Sequence, residues 1–106
     1  MIEIIRHYKA VASGGVEDKD IVPAAGEAYV VKGISYACPE NGKSKCIVYW
    51  GGASLGDIYD ASYNSKFVSL DGAVFEGDGV KTLKIRLDNG AAGTVAMGVT
   101  IQYENN

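Results

Sequence analysis

Between Leu83 and Leu87 the chain changes polarity at every residue: Leu83, Ile85 and Leu87 are apolar, while Lys84 and Arg86 between them are charged. The alternation returns after Asp88-Asn89-Gly90, with Val95, Met97, Val99, Ile101 and Tyr103 on one parity and Ala96, Gly98, Thr100, Gln102 and Glu104 on the other. A period of two is that of a β-strand with one dry face and one wet face. Two such strands joined by a turn make an antiparallel pair, and its apolar face needs a second layer to cover it. The pattern predicts an all-β fold, a single-domain antiparallel β-sandwich over residues 1–106 that can close as a jelly roll, with the apolar residues from Leu83 to Ile101 facing one core.

Fourteen glycines against two prolines, with Tyr, Val and Ile prominent, suit short strands and tight turns better than helices. The net charge is −3 and the basic residues are scattered, so no positive stripe is available for a phosphate backbone and nucleic acid is not expected as a partner. No stretch approaches the roughly 20 apolar residues of a membrane span. Arg6, His7 and Lys9 interrupt the start before a signal-peptide core can form. The expectation is a soluble chain without a signal peptide, made in the cytoplasm.

Along the chain, a first strand is expected over residues 2–11, with a bulge where the Ile4-Ile5 pair breaks the alternation. Residues 12–20 read as a loop or mobile arm, since Ser13-Gly14-Gly15 is followed by Glu17-Asp18-Lys19-Asp20. Pro23 and Gly26 punctuate the approach to a second strand over residues 28–38. A short apolar strand at residues 45–50 ends at Gly51-Gly52. Residues 53–79 read as loops and short edge strands, with Phe67-Val68-Ser69-Leu70 and Ala73-Val74-Phe75 as the strand fragments.

Cys38 and Cys46 are the two cysteines, and Asn41-Gly42 between them is a hairpin turn signal. If the flanking strands pair as a hairpin, the sulfurs face each other and a disulfide can form; two buried reduced thiols are the other reading, and the residues leave both open. Two cysteines and a distant His7 do not supply a structural zinc set.

Catalytic chemistry is poorly supplied. His7 is the sole histidine and sits in a strand. Gly52-Ala53-Ser54-Leu55-Gly56 matches the letters of a nucleophile elbow, but no helix signal follows it, and the elbow needs strand, strained turn and helix. Loose acidic groups occur at Glu17, Asp18 and Asp20, at Asp57 and Asp60, and at Asp71, Glu76 and Asp78. Loop carboxylates can gather calcium, yet none of these has EF-hand spacing, and a solvated acidic rim is the plainer reading. No catalytic residue, metal or cofactor is assigned. Aromatic residues are the better lead: Trp50 is expected in the core, whereas Tyr59 and Tyr63 lie in a Gly/Ser-rich stretch where they can stack on sugars or anchor a protein contact. The candidate contact residues are Glu17, Asp18 and Asp20 in the arm and Tyr59 and Tyr63 in the loops of residues 51–63.

Taken together, Ile4-Ile5-Arg6-His7-Tyr8, Val22-Pro23-Ala24-Ala25-Gly26-Glu27, Gly77-Asp78-Gly79 leading into Leu83-Lys84-Ile85-Arg86-Leu87-Asp88-Asn89, and the closing Ile101-Gln102-Tyr103-Glu104 resemble small β-sandwich structural proteins of tailed bacteriophage virions. The resemblance implies a non-enzymatic virion part made in the host cytoplasm. The simplest form is a capsid decoration or cement protein seated on the major capsid protein; a head–tail or tail component is the next. It carries over no catalytic residues. An assembly protein should dock on a repeating lattice by a sheet edge or mobile arm, and should form a homo-oligomer about a symmetry axis. The competing expectation is a carbohydrate-binding module, for which Trp50, Tyr59 and Tyr63 should share one exposed face.

Overall fold

A computed structural model describes residues 2–38, 43–59, 66–68 and 73–106, with the backbone alone at 54–59 and 66–68. Among the described residues there are nine strands: β1 (Ile2–Val11), β2 (Val16–Ile21), β3 (Ala28–Ala37), β4 (Lys45–Trp50), β5 (Ala53–Tyr59), β6 (Lys66–Val68), β7 (Val74–Glu76), β8 (Leu83–Asp88) and β9 (Val95–Asn105). They form two antiparallel sheets, β1-β9-β3-β6 with β7 also on β3, and β2-β8-β4-β5.

The pairing has a simple logic. β1 pairs with β9, β2 with β8, β3 with β7 and β6, and β4 with β5, which is one long antiparallel ribbon folded over on itself. Rolling that ribbon brings β9 beside β3 and β8 beside β4, and the strip becomes a two-sheet β-sandwich with jelly-roll-like pairing. The ribbon's tip is Gly51-Gly52, where Trp50 pairs with Ala53 and both glycines take positive φ, +59° and +89°. Two successive residues with positive φ make the tight hairpin turn that matches strand twist, and only glycine adopts it without strain.

Alternation places the core. Leu83, Ile85 and Leu87 of β8 and Met97, Val99 and Ile101 of β9 are all buried in one cluster with Ile5, Val11, Val31, Ile34, Tyr36 and Val48, and Val95 and Tyr103 pack against it half-buried. The parity expected from the sequence is the parity observed. In β3 it switches part-way: Tyr29 and Val31 point inward before a bulge at Lys32, Ile34 and Tyr36 after it. One extra residue reverses the faces of a strand, so the bulge keeps both halves of β3 facing the core.

Three expectations change. Residues 12–20 are not a mobile arm: Gly14 and Gly15 form a corner tied to the backbone of Asn89, and Val16–Ile21 is a strand in full register with β8. Its charges do not melt it because Asp18 sits opposite Arg86 and Asp20 opposite Lys84, pairs of the kind that stabilise neighbouring strands. The Ile4-Ile5 pair carries no bulge, since β1 and β9 pair without a shift over ten residues; Ile5 turns inward and Ile4 outward. Finally, Cys38 and Cys46 are not hairpin neighbours, because β3 and β4 belong to opposite sheets. Both are free, buried thiols.

Candidate interaction surfaces

The outer face of the β2-β8-β4-β5 sheet is built from the polar parity of its strands. Arg86 donates to both carboxylate oxygens of Asp18, from Nε at 2.8 Å and Nη2 at 2.9 Å. Its guanidinium also lies 5.5 Å from the centre of the Tyr49 ring. The hydrogen bonds from Arg86 hold the Asp18 carboxyl below its ordinary range, helped by the positive charges of Arg86 and Lys84. Beside this pair, Asp20, Tyr49, Lys81, Lys84 and the Gly51-Gly52 tip line an open groove of about 530 Å³. With Arg86, which also lines it, the groove offers one aromatic ring, three cationic side chains and a carboxylate to a polar ligand.

Asp18 also sets an acid dependence. A carboxyl whose folded value is depressed contributes stability above its unfolded value, near 3.8, and loses it as pH falls toward the folded one. Asp18→Asn is expected to cost about 0.5 to 1 kcal/mol at neutral pH, the scale of a surface pair, and to flatten the acid limb of a thermal-melt pH series below pH 4. An unchanged acid limb would show that Asp18 carries none of it.

The outer face of the other sheet is apolar at one side. β1 is its edge strand, and its outward residues Ile2, Ile4 and Tyr8 are 48%, 49% and 60% exposed. They account for three of the seven exposed large hydrophobic residues among those described. Tyr8 does not stand free. Its ring lies across Gly98 of β9, where an added Cβ would come within 2.7 Å of ring carbons, and its hydroxyl is 3.1 Å from Thr100 Oγ1. A bare glycine opposite a tyrosine lets the ring lie flat along the sheet, so the apolar row presents a smooth surface.

The sequence candidates separate. Asp18 and Asp20 share the outward parity of β2, Asp18 bonded to Arg86 and Asp20 opposite Lys84 in the register, and Glu17 falls on the opposite parity. Tyr59, expected in a loop, instead ends the seven-residue strand β5 opposite Lys45, with its side chain outside the described residues, as is the whole of Tyr63. Trp50 packs inward at 5.2 Å from Phe75. His7 is buried with Nε2 2.9 Å from the Glu17 carbonyl, bridging the edges of the two sheets. Cys46 is pushed up to about 12 by burial, which makes it a packing residue rather than a nucleophile. Residues 53–56 of the elbow-like motif run into strand β5 instead of a helix. Among the described residues no three acidic, cysteine or histidine side chains gather as a metal site. What the sequence does not reveal is Tyr8, whose seat on Gly98 depends on a register between strands at the two ends of the chain.

No family model matches the chain, and no curated protein matches it. Solved structures align with it over nearly its whole length. A GH26-CBM35 β-(1,4)-mannanase from Podospora anserina aligns over 95% of this chain and 28% of its own, at 12% identity and a TM-score of 0.53. The insecticidal δ-endotoxin Cry8Ea1 from Bacillus thuringiensis aligns over 95% of this chain and 19% of its own, at 19% identity and a TM-score of 0.49. The chain thus spans under a third of either structure's length, and at 12% identity the likeness to the mannanase is one of fold alone.

Proposed function

We propose that this chain is a non-enzymatic structural part of a virion, a decoration or cement protein that docks on the capsid lattice through the outer face of its β1-β9-β3 sheet. The nature of the partner rests on the resemblance to tailed-phage virion proteins. The docking surface rests on one observation: the exposed apolar row of Ile2, Ile4 and Tyr8 on a regular edge strand. Exposed apolar side chains grouped on one strand face, here with Arg6 between Ile4 and Tyr8, mark contact sites, and a preformed sheet holds them at little ordering cost on binding. The commitment of His7 to a backbone carbonyl and of Cys46 to the core fits a role without catalysis.

The test is occupancy on particles. Ile4→Lys combined with Tyr8→Lys is expected to lower the affinity for capsids tenfold or more, because burying one large apolar side chain at an interface is worth about 1.5 kcal/mol or more. The melting temperature should move little, as both residues are exposed. Full occupancy by the double variant would remove this face from the docking surface.

A second reading is favoured by the groove beside Tyr49. Its volume of about 530 Å³ is that of a small-molecule site, and its ring, lysines and Asp20 suit a polyhydroxylated ligand such as a saccharide. Micromolar binding on a glycan array, abolished in Tyr49→Ala, would put carbohydrate recognition first.

A further inference from the structure

We infer that two copies of this chain pair edge to edge through β1, antiparallel and about a two-fold axis at Arg6, joining their outer sheets into one. β1 runs ten residues without proline, bulge or register shift, is hydrogen-bonded to β9 on one side, and has no backbone partner on the other among the described residues. Such an edge is a template for another strand unless it is blocked. The other edges are poorer templates: β5 is shorter, and its ladder with β4 carries a register shift. β2 carries Glu17, Asp18, Lys19 and Asp20 in succession, and the Glu17 carbonyl is taken by His7. β6 and β7 are three residues each. β1 is the long edge that instead exposes Ile2, Ile4 and Tyr8.

The charges on β1 choose the occupant. Glu3 and Lys9 are both exposed, lie on the same parity, and stand three residues either side of Arg6. An axis at Arg6 sets Glu3 opposite Lys9 of the second copy twice over. The same register sets Ile4 opposite Tyr8 of the second copy and Ile2 opposite Ala10, so each exposed large apolar residue gains an apolar neighbour, while the buried Ile5 falls opposite the buried His7. Sliding by two residues in either direction breaks both Glu3–Lys9 pairs. The one unfavourable contact is Arg6 against itself. Pairing also merges the two apolar rows into a single surface twice as long, which deepens the docking reading above without depending on the lattice.

The experiment uses the purified protein with no particle present. Sedimentation equilibrium is expected to show a dimer at about 0.1 mM. Arg6→Cys should cross-link nearly completely on mild oxidation, because a residue on the axis faces its own copy; Tyr8→Cys should not, since residue 8 faces residue 4. The native thiols Cys38 and Cys46 are buried and do not compete. Arg6→Thr, which relieves the like-charge contact, should tighten the dimer about two- to fivefold. A monomer at that concentration overturns the pairing, as does a dimer that cross-links through Tyr8→Cys and not through Arg6→Cys. Particle occupancy is a separate readout, so either proposal can fail while the other stands.

Discussion

Asn89→Ala is expected to destabilise the fold by about 3 kcal/mol, more than truncating most of its apolar neighbours by a methyl group. Asn89 is fully buried at the corner between β8 and β9, and its amide is saturated. Nδ2 donates to the Val11 carbonyl at 2.7 Å and the Gly93 carbonyl at 2.8 Å, while Oδ1 accepts from the Ala91 amide at 2.8 Å and the Ser44 hydroxyl at 3.2 Å. Its backbone closes a further pair of bonds with Gly14 and Gly15. One side chain therefore pins three crossings between sheets: β1 to β2, β3 to β4, and β8 to β9. Removing it takes a partner from two carbonyls, an amide and a hydroxyl, of which the Val11 carbonyl and the Ser44 hydroxyl bond in a buried site, and each buried group left unpaired costs about 1 to 3 kcal/mol. In a domain of this size the melting temperature should fall by roughly 12 °C or more. A shift of only a few degrees would mean that the crossings hold without Asn89.

Ile85→Ala should cost about 3 kcal/mol and Lys84→Ala no more than about 0.5 kcal/mol, although the two residues are neighbours on one strand. Ile85 is fully buried at the middle of β8, which is itself an inner strand between β2 and β4. Lys84 faces outward, and its amine is 3.9 Å from Asp18, too far for a strong pair. The contrast comes from parity alone. Chemical denaturation of the two variants measures it, and equal losses would contradict the assigned faces.

These two buried residues differ in how far they can be read in advance. Ile85 is legible because burial on one face of a strand leaves a period of two in the sequence, and β8 and β9 have that period over nearly their whole length. Asn89 is legible only as part of a turn signal; its function as a hub depends on corners brought together from three distant parts of the chain. β2 escapes sequence reading for a related reason. Both faces of an edge strand can be polar, so Glu17-Asp18-Lys19-Asp20 looks like a loop until Arg86 and Lys84 are seen across from it. The cysteines mislead through proximity in sequence, since β3 and β4 beside them belong to opposite sheets. At the surfaces, Asp18 is legible as an exposed acid but not as the partner of Arg86. The Ile4-Ile5 pair looks like a defect in alternation, and the exposed Ile4 is instead part of the proposed docking face.

The most direct measurement of the assembly proposal is a count of copies per particle, by quantitative mass spectrometry of intact virions purified from a producing lysate. A decoration or cement protein bound through a fixed surface should be present at a constant ratio to the major capsid protein across preparations, and that ratio should collapse in particles made with the Ile4→Lys, Tyr8→Lys variant. Particles that contain the capsid protein but lack this chain, or hold it only in traces that vary with washing, would contradict it.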